Sequence, residues 1–161
     1  MTCHECLYYH GNSLATKCGV NFGLFGLTVL NLGTKQHVDE YHQKIYKLEV
    51  TGGFGLTELG HGSNARAIET TAVYDHKTKE FVLNTPNEGA QKFWIGNFAC
   101  HGNHAVVFAQ LHVDGVHHGV HAFVFRIRDE KGAPLPGVRI GDCGVKIGMR
   151  SASLSFEFEW S

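Results

Sequence analysis

After Gly52-Gly53 the sequence changes texture, and short runs of alternating apolar and polar residues separated by turn-forming residues take over to about residue 148. Alternation with a period of two puts apolar side chains on one face of an extended strand, and several such runs in series are the pattern of an antiparallel β domain. Glu69 to Tyr74 and Glu80 to Asn84 flank Asp75-His76-Lys77-Thr78-Lys79 and predict one hairpin. Ala105 to Val113 and Gly119 to Arg128 flank a turn containing Asp114-Gly115, a dipeptide suited to the left-handed dihedrals of tight hairpins. Val138 to Ile140 and Val145 to Ile147 follow the turn Pro134-Leu135-Pro136-Gly137. At least five strands are expected, enough for a small barrel or sandwich.

The first 50 residues read differently. Phe22-Gly23-Leu24-Phe25-Gly26-Leu27-Thr28-Val29-Leu30 shows neither clean period, and its glycines suit a buried helix that a second backbone approaches closely. From Thr34 to Leu48 the period is helical, with Thr34 as the cap and Val38, Tyr41, Ile45 and Leu48 forming the apolar face. The expected fold is therefore mainly β, a small antiparallel barrel or sandwich preceded by one or two helices. Its expected divisions are a helical portion at 1–50, a β domain at 51–148 and a divergent tail at 149–161. The tail alternates Leu154, Phe156, Phe158 and Trp160 with small or acidic residues, as a strand with one apolar face does.

Composition narrows the function classes. With 43% hydrophobic and 18% charged residues, the 161-residue chain can bury one core, and its formal net charge of -1 carries no run of like charge to attract nucleic acid. No nucleic-acid or membrane partner is expected, because no apolar stretch reads as long enough to span a bilayer. Neither a signal peptide nor a Ser-Lys-Leu type of C-terminal address is legible. Five scattered cysteines, without a secretory signal, suit free thiols better than disulfides. Cys3-x-x-Cys6 is half of a zinc site whose partners could be only Cys18 and His10, His101 and His104 also invite a metal reading, and the hairpin histidines His117, His118 and His121 suit a solvated strand face; no metal is expected.

Two segments can carry chemistry. Gly52-Gly53-Phe54-Gly55-Leu56-Thr57-Glu58-Leu59-Gly60-His61-Gly62-Ser63-Asn64 offers unobstructed backbone N–H groups beside hydroxyl and amide side chains. This suits a phosphate-bearing or heteroaromatic ligand, and equally a loop that merely turns the chain. Lys92-Phe93-Trp94-Ile95-Gly96-Asn97 can set a flat ring against a cofactor, or can be a core aromatic pair at a strand end.

Taken in order, Thr57-Glu58-Leu59-Gly60-His61-Gly62-Ser63-Asn64, Glu69-Thr70-Thr71-Ala72, Glu80-Phe81-Val82-Leu83-Asn84-Thr85-Pro86, Trp94-Ile95-Gly96-Asn97 and Gly119-Val120-His121-Ala122-Phe123-Val124 resemble the middle domain of the peroxisomal acyl-CoA oxidases, within the acyl-CoA dehydrogenase superfamily. The resemblance covers about residues 20 to 148. It implies FAD as cofactor and acyl-CoA as substrate, with acyl-CoA and O2 converted to trans-2-enoyl-CoA and H2O2 in fatty acid β-oxidation. It implies that Thr57 hydrogen-bonds the flavin ring and that Trp94, Ile95 and Gly96 lie against the isoalloxazine, partly through main-chain contacts. It implies that Gly62 and Ser63 border the thioester arm of the substrate. Phe93 stands where many relatives carry Trp. The family's proton-abstracting Glu belongs to a C-terminal helical domain, so no catalytic residue is assigned here, neither Glu58 nor Glu69. A peroxisomal location and, for full-length relatives, a homodimer also follow from the resemblance. The expectation for this chain is a fragment without turnover of its own, the alternative being a non-catalytic β-domain interaction module.

Overall fold

A computed structural model of the chain describes residues 3–144 and 154–158. Val145 to Ile147 and most of the tail lie outside the described residues, as does the side chain of Cys3. Helices α1 (Cys3–His10) and α2 (Asn12–Cys18) lead into a π-helical segment, Gly19–Gly26, and α3 (Leu27–Leu32), followed after a break at Gly33 by α4 (Lys35–Tyr46). The helical portion is thus larger than the one or two helices expected. The run Asn12–Leu32 is 21 residues, long and apolar enough by length and composition to cross a membrane, which corrects the expectation that no such stretch exists. One face of it is buried in the protein through Ala15, Asn21, Phe25, Gly26 and Val29, whereas Phe22, Leu24 and Leu27 are exposed.

Helix α4 begins where the sequence predicts. The Thr34 backbone N–H donates to His37 Nδ1 at 3.1 Å, with His37 in the position that Glu or Gln takes in the usual capping box. Its end differs from expectation. Leu48, placed by periodicity on the buried face, is 57% exposed, because the helix stops at Tyr46 and Leu48 adopts φ 59°. The Val50 N–H then returns to Lys44 O at 3.1 Å, and Val50 enters the core in its place.

Among the described residues seven strands follow: β1 (Gly52–Gly55), β2 (Thr71–Asp75), β3 (Glu80–Asn84), β4 (His104–Val113), β5 (Val116–Arg126), β6 (Val138–Asp142) and β7 (Leu154–Phe158). Both predicted hairpins form, β2 with β3 and β4 with β5, and the second closes through Asp114 (φ 52°) and Gly115 (φ 76°). The larger sheet is neither wholly antiparallel nor closed into the barrel expected. It is a mixed, open sheet in which β1 and β2 both run parallel to β4, aligning Gly52 with His104 and Thr71 with Gln110. Alternation identifies a strand but carries no information about its direction. The direction here is set by the long connections: residues 56–70 carry the chain on from β1, beside 104–107 of β4, to β2, beside 110–112, without reversing it, and residues 85–103 return it to the start of β4. Strands β6 and β7 pair separately.

Strand β4 is buried on both faces. Ala105 and Val107 join Ile95, Phe98 and Ile127 on one side, and Val106 joins Phe25, Val29, Ile45 and Val50 on the other, the helical side. Burying a side chain such as Phe25 or Ile45 stabilises the fold by about 2 to 3 kcal/mol. Close approach of the helices to β1 depends on Gly52, where an added Cβ would lie 2.4 Å from the Phe25 ring. Gly52 is further held from both sides, its N–H by Asn21 Oδ1 at 2.9 Å and its C=O by Asn97 Nδ2 at 3.0 Å.

At the start of β4, His104 places Nδ1 2.8 Å from Asn103 Oδ1 and sets its ring edge-on to Tyr41. Burial first, then the nearby Arg126 and Lys44 charges, push its pKa down to about 4, against a smaller opposing effect of Glu40. A depressed histidine favours protonation of the unfolded chain, so stability is complete above the ordinary value of about 6.5 and falls as pH drops from there toward 4. We expect a loss of roughly 2 to 3 kcal/mol across that window, read by denaturant unfolding at stepped pH, and a flatter profile for His104→Gln.

Candidate functional site

Two chain segments far apart in sequence are joined beside β1. Thr57 O accepts the Phe93 N–H at 3.0 Å, Leu59 N–H donates to Gln91 O at 2.9 Å, and Gly60 N–H donates to Gly89 O at 2.8 Å. The Gly-rich loop and the Trp-bearing loop are thereby zipped together in antiparallel register. Beyond the zipper the chain makes a tight turn between Glu58 and His61, and Gly62, Ser63 and Asn64 lie exposed past it. His61 Nε2 lies 3.2 Å from Glu69 Oε2, which ties down the base of this exposed loop.

Trp94 is 63% exposed and holds φ 64°, a left-handed conformation that costs an aromatic residue of order 1 to 3 kcal/mol. Such strain persists only where the surroundings enforce it. Here Phe93 is fixed by Thr57 and sets its ring edge-on to the indole at 5.8 Å, while Ile95, 3% exposed, anchors the following residue in the core. The result is an indole face presented to solvent beside half-buried Thr57. The two readings of the Trp94 segment divide between its residues: Ile95 is the core residue and Trp94 the outward ring. Gly96 faces Val20 of the π-helical segment, so any ligand contact it makes is through its main chain.

The structure therefore brings Thr57 and Trp94 together, leaves Gly62 and Ser63 on the adjoining exposed loop, and turns the side chain of Ile95 away. Sequence reasoning missed what lies beneath. The side chains of Glu58 and Lys92 are wholly buried and paired at 3.0 Å. The Glu58 carboxylate also accepts from the N–H groups of Glu69 and Thr70 and from Thr70 Oγ1 at 2.6 Å, and Lys92 Nζ also donates to Leu56 O and Phe108 O. Burial alone would raise the Glu58 pKa, but the Thr70 hydroxyl, the two N–H groups and the Lys92 ammonium together hold it below the usual carboxylate value. Burial lowers the Lys92 pKa against the opposing pull of Glu58. The available signal was a lysine within the apolar run Lys92-Phe93-Trp94-Ile95, where an ammonium needs a carboxylate partner.

Glu58, His61 and Glu69 bring ligand atoms within 4.8 Å of one another. Both Glu58 oxygens are already committed to N–H, O–H and ammonium donors, so this group reads as a polar anchor, not a metal centre. A cavity of about 790 Å3 lies elsewhere, between the α3–α4 junction at Leu32 and His37 and strand residues including Phe81, Phe123 and Phe125, away from Thr57 and Trp94.

Comparison with known proteins places these features in context. Residues 53–159 match the family model described as acyl-CoA dehydrogenase, middle domain, and the match runs past Gly148 into the tail segment. The peroxisomal acyl-coenzyme A oxidase 3 of Arabidopsis thaliana is 51% identical over 140 residues, covering 87% of this chain and 21% of the relative. The crystal structure of acyl-CoA oxidase 3 from Yarrowia lipolytica superposes with a TM-score of 0.88 at 39% identity, covering 92% of this chain and 22% of that one. The acyl-CoA oxidase-2 of Caenorhabditis elegans, solved with FAD, ascaroside-CoA and ATP, superposes with a TM-score of 0.84 at 35% identity over 96% of this chain and 24% of that one. The chain spans about a fifth of the length of the curated relatives it matches.

Proposed function

This chain belongs to the acyl-CoA oxidases of the acyl-CoA dehydrogenase family, and from that premise we propose that it supplies the flavin-facing wall of an acyl-CoA oxidase active site. The observation that carries the reading is the indole of Trp94, 63% exposed and held in a strained backbone next to Phe93, whose N–H is bonded to Thr57 O. A solvent-facing aromatic ring beside a hydroxyl fits a flat heteroaromatic cofactor with polar edges, and FAD is that cofactor in the oxidase solved with it. Flavin, when bound, supplies the two-electron acceptor for oxidising an acyl-CoA to the trans-2-enoyl-CoA, the electrons passing on to O2 to give H2O2.

The chain's own residues bind and orient. Trp94 offers the stacking face, Thr57 a hydroxyl to the ring edge, and the main chain at Ile95 and Gly96 further polar contacts. The exposed Gly62-Ser63 loop borders the acyl-CoA thioester arm. Abstraction of the proton α to the thioester needs a carboxylate with free lone pairs in a dry site. Glu58 is paired with Lys92 and Glu69 is turned to His61, so neither serves, and the base comes from outside this wall. The wall alone binds without turnover. In this reading the helices of residues 1–50 back the wall, and the protein shares the peroxisomal location that its plant relative's name records.

Trp94→Ala removes the stacking face of a side chain that is 63% exposed. We expect flavin affinity to fall about tenfold, the equivalent of about 1.4 kcal/mol, with thermal stability little changed, since alanine keeps the Cβ and with it the strained backbone. Quenching of FAD fluorescence on titration reads the first, and a melting curve the second. Equal affinity for wild type and Trp94→Ala would remove the indole from the site.

A further inference from the structure

We infer that the buried Glu58–Lys92 pair is a positioning device that fixes Thr57 relative to Trp94, an inference that rests on the flavin-wall reading and extends it to two residues that touch no cofactor. Lys92 Nζ reaches both chain neighbours of Thr57: it donates to Leu56 O at 3.2 Å and to Glu58 Oε1 at 3.0 Å. Its third proton goes to Phe108 O in β4 at 2.8 Å, so the ammonium is saturated and tied to the central strand. Two residues along its own chain stands Trp94. The carboxylate is equally saturated, by Glu69 N–H at 2.7 Å, Thr70 N–H at 2.9 Å and Thr70 Oγ1 at 2.6 Å, which roots it at the entry to β2. One ion pair thus references both halves of the flavin wall to β4 and β2.

The chemistry of the pair suits positioning better than stability. Two charges taken from water together gain little over a well-packed apolar pair, whereas removing one partner strands a buried charge. What the pair offers is direction: a saturated ammonium and a saturated carboxylate accept one arrangement of the strands around them, and a slip of the Thr57 segment against the Trp94 segment would break several charge-assisted bonds at once. The left-handed backbone of Trp94 is the strained element that this frame holds in place.

The test separates positioning from stability. Glu58→Gln and Lys92→Met each strand one charge and are expected to lower the melting temperature sharply, while the double variant Glu58→Gln/Lys92→Met, with no stranded charge, recovers much of that loss. A positioning role predicts that the double variant, folded by far-UV circular dichroism, still binds FAD at least tenfold more weakly than wild type and gives a bound flavin with a broadened visible spectrum. A second readout needs no flavin. In a Trp160→Phe background Trp94 is the chain's sole tryptophan, and its near-UV circular dichroism is expected to collapse in the double variant while the far-UV signal is retained. Wild-type affinity, or an unchanged Trp94 signal, in the folded double variant overturns the inference. If the wild-type chain binds no FAD, the flavin reading fails by itself, and the Trp94 signal still decides whether the pair positions that residue.

Discussion

Arg128→Leu is expected to lower the melting temperature by roughly 10 to 15 °C. The Arg128 guanidinium is buried, pairs with no carboxylate among the described residues, and is satisfied by four carbonyls: Phe98 and Ala99 through Nη2 at 2.6 Å each, Gly132 through Nη1 at 2.8 Å, and Gly102 through Nε at 3.2 Å. These carbonyls belong to the 98–102 loop that ends the Trp94 segment and to the turn after β5. Leucine fills the volume and leaves the acceptors without donors, at a cost of about 1 to 3 kcal/mol for each that stays dry, and roughly 3 to 5 kcal/mol in all after relaxation and water entry. For a chain of this size 1 kcal/mol corresponds to about 2 to 4 °C. Arg128→Lys keeps the charge but cannot span a fork of four carbonyls, so an intermediate loss is expected. Differential scanning calorimetry of the three proteins checks the order wild type, Lys, Leu. A leucine variant melting with wild type would mean that the 98–102 loop does not depend on the guanidinium.

The second large effect is Gly53→Val. An added Cβ at Gly53 would sit 2.4 Å from Gly96 O and 2.5 Å from the Phe98 ring, and Phe98 is itself fully buried. Neither neighbour is a flexible chain end: one is backbone and the other a core ring. The strand must move away from the Trp94 segment, so the variant is expected to lose at least about 3 kcal/mol of stability and, where it still folds, most of its flavin affinity. Gly62→Ala is the matching control, since nothing lies within 4 Å of its added Cβ, and its stability should stay within about 0.5 kcal/mol of wild type. Equilibrium urea unfolding separates the two, and a Gly53→Val chain as stable as wild type would contradict the packing of β1 on the Trp94 segment.

How much of this was legible beforehand depends on the range of the forces involved. Both hairpins follow from local alternation and turn chemistry, and Asp114-Gly115 takes up the left-handed turn that its residue types favour. Thr34 caps α4 as read, because capping is decided within one turn. Leu48 was misplaced because helical periodicity does not say where the helix stops, and a left-handed residue two positions past Tyr46 moved the buried role to Val50. The mixed, open sheet was illegible because strand direction is settled by connections, not by alternation. At the site, Thr57 and Trp94 were named through family resemblance, and the structure adds that their segments are hydrogen-bonded neighbours. Glu58 and Lys92 stand 34 residues apart, and Arg128 meets three of its four carbonyls 26 to 30 residues away; pairings of that range leave no local pattern to read.

The helical run Asn12–Leu32 bears on function as well. Its buried side supports β1 through Phe25 and Asn21, and so backs the wall from behind. Its other side leaves Phe22, Leu24 and Leu27 exposed. In the proposed reading a flavin stacked on the 63% exposed indole of Trp94 keeps part of its ring in water, so a modest affinity is expected.

The most direct test titrates FAD into the purified wild-type chain, shown to be folded by circular dichroism, and follows quenching of flavin fluorescence together with the change in its visible spectrum. Saturable binding of one flavin per chain is expected, with a perturbed spectrum and a raised melting temperature. A folded chain that leaves flavin fluorescence, spectrum and melting temperature unchanged at saturating FAD would contradict it.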